Sequence, residues 1–113
     1  MLSKKHRLAK HAEVAATTAK GRSFFSKSFV VKFLKTPTND LRKLTVIASA
    51  KVSKSAVIRN RLKRVVREEF RKVINKIKPG QYAIIIKRSA TQVTSQELAQ
   101  EVVEAIKNSR IFK

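Results

Sequence analysis

Residues 51–72 read KVSKSAVIRNRLKRVVREEFRK, and this stretch decides the fold because it joins a helical apolar period to a dense basic face. At about 100° per residue of an α-helix, its apolar side chains and those just after it fall on one arc: Leu62, Val65, Val66, Phe70, Val73 and Ile77. The opposite face carries Asn60, Arg64, Arg67 and Arg71, at spacings of 4, 3 and 4 residues. The pattern predicts a helix over residues 56–77 with one face in a core and a row of guanidinium groups on the other.

The segments on either side of this helix predict strands. Downstream, Pro79-Gly80 ends the helical period, and residues 81–86 (QYAIII) are apolar without alternation, as in a central strand covered on both faces. Upstream, residues 44–50 form a β-rich run, and residues 28–35 alternate with Phe29, Val31 and Phe33 on one side. Residues 22–25 offer a further short strand.

Helices are predicted at both ends of the chain. Residues 2–19 have an apolar stripe and are followed by Gly21, a common stop signal. The last helix begins at a capping box in which Thr94 is the N-cap and Glu97 reaches back to it. The order α-β-β-(β)-α-β-α predicts an α+β fold, a small sandwich of one sheet against helices in a single domain over residues 1–113.

The composition excludes several classes of protein. The 113 residues include no cysteine, two histidines and seven acids, which excludes disulfide frameworks and thiolate catalysis and leaves little material for a protein-only hydrolase. His6 and His11, five residues apart on a helix, make a poor metal pair. No apolar run approaches the ~18 residues of a membrane span, so we expect a cytoplasmic protein without a membrane partner. Composition alone does not exclude a cleavable organellar presequence, which would be acid-poor and helical.

The net charge of +20 is concentrated in parts of the chain. Residues 51–72 carry nine basic and two acidic side chains, residues 1–27 seven and one, and residues 95–113 three of each. Such an excess indicates a polyanionic partner, with nucleic acid as the default, and arginine suits phosphate because it donates in pairs. A merely solvated charged face is the alternative, and only Glu68, paired with Lys72, is expected to relieve the repulsion.

The central stretch resembles the RNR motif of the bacterial ribonuclease P protein subunit. The matching residues are Ala56-Val57, Arg59-Asn60-Arg61, Lys63-Arg64, Arg67 and Phe70. Outside the motif, Arg7-Leu8, Gly21, Phe29-Val30, the isoleucine-rich strand, Lys87-Arg88 and Ile111-Phe112-Lys113 also fit. The resemblance covers the whole chain, and this spacing is far more specific than a lone RNR tripeptide.

The resemblance implies a left-handed βαβ crossover around the RNR helix, against the usual right-handed rule. It also implies the non-catalytic subunit of a ribonucleoprotein endonuclease, a hydrolase that matures the 5′ end of tRNA. Its partners would be the catalytic RNA, which holds the Mg²⁺, and precursor tRNA, with no further protein required. No protein residue would be catalytic and none would bind metal.

The resemblance assigns two sets of binding residues. Those expected to face the catalytic RNA are Arg59, Asn60, Arg61, Arg64, Arg67 and Arg71. Those expected to bind the 5′ leader of precursor tRNA are Lys32, Lys51, Lys54, Lys63, Lys87 and Arg88.

The chain also departs from the family pattern. Val14 and Thr18 stand where relatives commonly have cleft phenylalanines, and Lys32 replaces a frequent tyrosine. Val46 and Lys54 replace the usual glycines, so we expect an altered loop before the RNR segment and a cleft that relies more on charge than on stacking. Phe70 is expected in the core, as are Phe29 and Phe33 in preference to base stacking. Phe25 and Phe112 remain candidates for the cleft.

The runner-up is a ribosomal protein or a ribosome-assembly factor, because composition alone does not separate it from the ribonuclease P subunit. An architectural DNA-binding protein is a weaker third candidate, since no groove-reading motif is present.

Overall fold

The computed structural model describes residues 17, 21–35 and 42–108. The strands are β1 (Arg22–Phe25), β2 (Phe29–Leu34), β3 (Arg42–Ile47) and β4 (Gly80–Ile86), and the α-helices are α1 (Ala56–Lys72) and α2 (Ser95–Asn108). A 3-10 helix (Arg88–Gln92) joins β4 to α2. The predicted first helix lies outside the described residues except for Thr17, which is helical. The expectations about His6, His11, Val14, Thr18 and Phe112 also fall outside them.

The four strands form one mixed sheet in the order β1-β2-β4-β3. β2 pairs antiparallel with β1 and β4, whereas β3 and β4 are parallel. Parallel neighbours need a crossover connection, and α1 supplies it. The α+β class, the extra strand at residues 22–25 and the central position of β4 are therefore confirmed, while the hand of the crossover stays a prediction.

The core lies between one face of the sheet and the two α-helices. Alternate residues of β2 and β3 are buried, and β4 contributes Tyr82, Ile84 and Ile86 to the same cluster. The helices cover them with one stripe each, Leu62, Val66 and Phe70 from α1 and Leu98, Val102 and Ile106 from α2. The predicted core positions of Phe29, Phe33 and Phe70 are confirmed, since their side chains are at most 9% exposed.

The central helix is shorter than its apolar period predicts. α1 ends at Lys72, and the N–H of Val73 donates to Phe70 O at 3.1 Å, so the last turn tightens and the chain turns away. Ile74 and Ile77 are nevertheless buried. Arg42, itself 8% exposed, donates from Nε to Ile77 O at 2.7 Å. The apolar residues after Lys72 thus reach the core from a turn that β3 holds in place.

The N-terminus of α2 has the predicted capping box. Thr94 N–H donates to Glu97 Oε1 at 2.9 Å, and Glu97 N–H donates to Thr94 Oγ1 at 3.1 Å. These two bonds satisfy donors that have no partner within the helix, and they lower the pKa of Glu97, the backbone bond of Thr94 being the larger cause. Among the described residues, neither α-helix is long and apolar enough to cross a bilayer.

Candidate nucleic-acid interface

Helix α1 is anchored at its start and along its inner stripe, and this anchoring orients its basic face outward. Ser55 is the N-cap, and its Oγ accepts from the N–H of Ile58 at 3.3 Å. Because Leu62, Val66 and Phe70 are buried, rotation of the helix about its axis would expose the core. The side chains opposite that stripe therefore have a fixed direction.

The basic face of α1 comprises Arg59, Asn60, Arg61, Lys63, Arg64, Arg67 and Arg71. Asn60, Arg61, Arg64 and Arg71 are exposed, and the other three are half-buried. A groove of about 390 Å³ runs along this face and is lined by Asn60, Lys63, Arg64, Arg67 and Glu68. The structure thus gathers all six residues predicted to face RNA and one of those predicted for the leader, Lys63, on one exposed or half-exposed surface.

Two acids partly neutralise the C-terminal end of this face. Glu68 pairs with Arg71 at 2.7 Å and Glu69 pairs with Lys72 at 2.9 Å, both at i,i+3 spacing. The Arg71 hydrogen bond holds the pKa of Glu68 below its usual value, and the same contact raises the pKa of Arg71. The predicted pairing of Glu68 with Lys72 is wrong as the principal contact, because the guanidinium of Arg71 reaches both carboxylate oxygens of Glu68.

The middle of the basic face keeps its charge unopposed. Within the described residues, Arg61, Arg64 and Arg67 form no ion pair. Arg59 uses one of its donors inside the protein, since its Nη1 donates to Ser53 O at 2.7 Å. It thereby ties the loop before α1 to the helix. Free guanidinium groups are therefore concentrated between Arg61 and Arg67.

The residues predicted for the leader lie in several places. Arg88 Nε donates to Lys51 O at 3.1 Å, which brings the 3-10 helix against the loop before α1. Lys87 Nζ donates to Ser26 O at 2.9 Å, and Lys32 Nζ donates to Ser23 Oγ at 2.6 Å across the β1–β2 pair. Lys54 is exposed in the loop before α1. Lys63 stands apart from these residues, on α1.

Lys32 defines a second face of the sheet. Its neighbours along β2, Val31 and Phe33, point into the core, so Lys32 points to the opposite side because strand side chains alternate. We call this side the outer sheet face; it comprises Ser23, Phe25, Val30, Lys32, Thr45, Ile47, Ala83 and Ile85 by strand register. Thr17 reaches this side too, where its Oγ1 donates to Gln81 Oε1 at 2.9 Å.

The expected loop change at Val46 is wrong, because Val46 is not in a loop. It lies inside β3, opposite Ile84, and is 8% exposed. A valine at this position adds a β-branched core residue to the sheet. Lys54 does lie in the loop before α1 and adds an exposed charge there.

The described carboxylates do not fit a metal site. No group of three or more His, Cys, Asp or Glu side chains able to hold a metal occurs among residues 17, 21–35 and 42–108. Each glutamate in these ranges accepts a hydrogen bond from the protein: Glu68 from Arg71, Glu69 from Lys72, Glu97 from Thr94, Glu101 from Ser26 and Ser28, and Glu104 from Gln100. Glu68 and Glu69 bind different cations, so they are not a general acid/base pair.

One residue near the proposed leader set was missed by sequence reasoning. Glu101 of α2 accepts from Ser26 Oγ, from Ser28 N–H at 2.7 Å and from Ser28 Oγ at 2.8 Å. The Ser-Lys-Ser run between two aromatic strands signals a turn. Nothing in the sequence indicates that an acid 73 residues away holds that turn.

The fold and the charge define a class of protein. It is a small, basic α+β domain with a mixed four-stranded sheet, two α-helices on one face and its arginines directed outward from the crossover helix. Proteins with such localised basic faces bind nucleic acid.

Comparison with known proteins identifies the family. The family model for ribonuclease P matches residues 2–110. The chain is 31% identical over 112 residues to the ribonuclease P protein component of an Exiguobacterium species, covering 99% of this chain and 96% of that protein. It is 29% identical to the corresponding component of Listeria welshimeri, with coverages of 99% and 94%. The chain belongs to the ribonuclease P protein family, and it is thus a component of the ribonucleoprotein endonuclease that processes tRNA.

Solved structures agree with this assignment. The fold matches the ribonuclease P protein of Staphylococcus aureus with a TM-score of 0.89 at 26% identity, over 97% of this chain and 100% of that one. It matches the protein from Thermotoga maritima with a TM-score of 0.75 at 26% identity, over 89% and 94%. The family assignment gives the chain a ribonuclease P RNA as its partner and removes the ribosomal-protein alternative.

Proposed function

We propose that this subunit binds the catalytic RNA through the basic face of α1 and the 5′ leader of precursor tRNA through a second set of basic residues. The observation that carries the proposal is a row of guanidinium groups, those of Arg61, Arg64 and Arg67, on a helix whose inner stripe is buried; none of the three forms an ion pair with the part of the chain that the structure describes. They offer phosphates a preformed row of paired donors. The RNA contacts are proposed for Arg59, Asn60, Arg61, Arg64, Arg67 and Arg71.

The role of each residue follows from what it already binds in the protein. Arg64 and Arg67 form no hydrogen bond or ion pair through their side chains within the described residues, and they would form the strongest phosphate contacts. Arg71 shares its guanidinium with Glu68, so its net contribution to phosphate binding is smaller. Arg59 both fixes the preceding loop, through Ser53 O, and keeps its remaining donors for RNA.

The leader is proposed to follow the outer sheet face and the loops beside it. Lys32 and Lys87 project from the sheet, and Lys51, Lys54 and Arg88 come from the adjoining loop and 3-10 helix. Lys63 shares the groove of α1 with Arg64 and Arg67, so we place it where the leader passes the catalytic RNA. Together these residues supply positive charge along a single strand without reading base edges.

We propose that the cleavage chemistry belongs to the RNA. The described carboxylates are occupied by protein donors and form no metal site, which supports Mg²⁺ being held by the catalytic RNA. The protein's own contribution is then to bind and orient the substrate. Its cationic side chains also neutralise RNA phosphates, which lowers the amount of Mg²⁺ the RNA needs to hold its active conformation.

Reconstitution with a cognate catalytic RNA at low magnesium tests this function. Added protein should accelerate the cleavage of precursor tRNA and tighten the binding of precursor tRNA. The binding of mature tRNA, which lacks the leader, should be tightened much less. Lys107→Ala, at an exposed position of α2, whose other charged residues are glutamates, serves as the control variant and should behave as the wild type. Cleavage and binding that do not respond to the wild-type protein would refute the proposal.

A further inference from the structure

The ring of Phe25 is unusually exposed for an aromatic side chain in a strand. It is 76% exposed, whereas its neighbour Phe24 packs against the core. Register explains the difference: Phe24 pairs with buried Val31, and Phe25 pairs with Val30 on the outer sheet face. Single exposed apolar residues are ordinary, so exposure by itself assigns no role to Phe25. Its surroundings do.

A cation stands over this ring. Lys87 Nζ lies 5.9 Å from the ring centroid of Phe25, within the range of a cation–π contact. Lys87 follows Ile86, whose side chain faces the core, so Lys87 projects to the outer side, as Phe25 does. With the ammonium on one side and most of the ring exposed, the opposite face of the ring is open to a planar group.

The turn that carries this pair is held rigidly. Lys87 donates from Nζ to Ser26 O at 2.9 Å and from its backbone N–H to Ser28 O at 2.8 Å. Glu101 accepts three hydrogen bonds from Ser26 and Ser28, and Ser89 Oγ donates to Lys27 O at 2.7 Å. Because the turn is already ordered, little conformational entropy would be lost when a ligand docks on the ring.

The charges around the ring determine which ligand it suits. Lys87 places its ammonium over the ring, Lys27 lies in the same turn two residues after Phe25, and the acid beside the turn, Glu101, has its oxygens bonded to serines. Half-buried Val30 and Ile85 extend the apolar surface across the sheet from Phe25 in one cross-strand row. An aromatic ring beside cations is the arrangement that binds a stacked base together with its phosphate.

We propose that Phe25 and Lys87 form a base-stacking site for one nucleotide of the single-stranded 5′ leader. The base lies on the free face of the Phe25 ring, and Lys87 contacts an adjacent phosphate. The inference rests on the proposed leader-binding function and gives it a specific aromatic contact. It also revises the expectation that this cleft relies more on charge than on stacking, because it assigns a stacking surface to β1 instead of to Val14 or Thr18.

Leader binding by the reconstituted holoenzyme tests the site. Phe25→Ala should weaken precursor tRNA binding about 5- to 150-fold, the range for loss of one stacked base, and should leave mature tRNA binding unchanged. Phe25→Tyr should restore affinity, whereas Phe25→Leu, which is apolar without a π-face, should restore it only in part. Equal affinity of wild type and Phe25→Ala, or equal losses for both substrates, would overturn the inference.

Salt dependence separates stacking from charge. Phe25→Ala should lower affinity without changing the slope of log K against log salt, because no phosphate contact is lost. Lys87→Gln should instead reduce the slope by about one unit. A change of slope for Phe25→Ala similar to that for Lys87→Gln would contradict a stacking role.

Single abasic positions along the leader identify the base. At one leader position, removal of the base should weaken binding by the wild-type protein as much as Phe25→Ala does. Removal of the same base should not weaken binding by the Phe25→Ala variant any further. Strictly additive losses at every position would overturn the inference. If wild type gains no affinity from a leader at all, the proposed function fails. If it gains affinity that Phe25→Ala fully retains, the stacking site alone fails.

A spectroscopic variant reports the contact directly. The chain contains no tryptophan, so Phe25→Trp introduces a single fluorophore at an exposed position that should not disturb folding. Its emission should be quenched by precursor tRNA and not by mature tRNA. Unchanged emission on saturation with precursor tRNA would contradict stacking on this residue.

Discussion

Gly80 is the residue at which the chain enters β4, and its backbone has a φ of 152° that L side chains rarely adopt. There is also no room for a side chain. A Cβ at this position would lie 2.4 Å from Phe33 Cε1 and 2.8 Å from Leu34 O. Phe33 is itself stacked on Tyr82, with ring centroids 4.8 Å apart. The close approach of Gly80 to β2 therefore allows these core rings to pack.

Gly80→Ala should destabilise the protein by about 1–3 kcal/mol, because the new methyl group meets both strain and a clash. Urea unfolding of the two proteins, followed by far-UV circular dichroism, measures the difference. Ala99→Gly, on the half-buried side of α2, serves for comparison and should cost roughly 1 kcal/mol. An unchanged midpoint for Gly80→Ala would show that Phe33 and the backbone relax without cost.

The sequence predicted which face of the sheet some aromatic residues occupy, but not others. Alternation along residues 28–35 assigned Phe29 and Phe33 correctly to the core, because a six-residue strand has enough positions to show its period. β1 has only four residues, and its two consecutive phenylalanines leave the period ambiguous. Pairing with β2 decides that Phe24 faces the core and Phe25 does not.

At the scale of elements, α1 has both a core stripe and a binding face, and each follows from the same period of 3.6 residues. Its outer face should contribute to RNA affinity mainly through phosphates. Arg64→Ala and Arg67→Ala should each reduce the slope of log K against log salt by about one unit. Titration of the catalytic RNA at several salt concentrations measures this.

Two comparisons sharpen the experiment on α1. Lys107→Ala removes one charge from α2, whose other charged residues are three glutamates, and should leave the slope unchanged. Arg71→Ala should reduce the slope by less than Arg64→Ala does, because Glu68 already neutralises part of the Arg71 charge. Equal slopes for wild type and both Arg64→Ala and Arg67→Ala would mean that this face does not contact RNA.

The end of α1 was beyond prediction from periodicity. The apolar spacing continues through Ile77, but the helix stops at Lys72 because the following residues form tighter turns and Arg42 binds the carbonyl of Ile77. A hydrophobic period indicates which side chains are buried. It does not indicate whether those side chains reach the core from a helix or from a turn.

At the scale of the whole molecule, the outer sheet face and α1 are separate surfaces, which predicts separable defects. Lys32→Ala should weaken binding of precursor tRNA roughly two- to tenfold, the value of about one net hydrogen-bonded contact, with little change for mature tRNA. Filter binding of both substrates to the holoenzyme measures this ratio. A variant on α1, Arg64→Ala, should instead reduce assembly with the catalytic RNA. Equal losses of precursor and mature tRNA binding for Lys32→Ala would remove Lys32 from the leader path.

The sequence by itself determined the class of the fold, the strands and helices of the core and the concentration of charge on the central helix. These features depend on the local hydrophobic period, on helix capping and on composition, and all three are set by residues that lie close together in the sequence. Only the tertiary structure decided the strand order, the end of α1 and the meeting of Phe25, Lys87 and Glu101. Those contacts join residues up to 75 positions apart, and no local pattern specifies them, because they arise when strands pair and helices pack on the sheet.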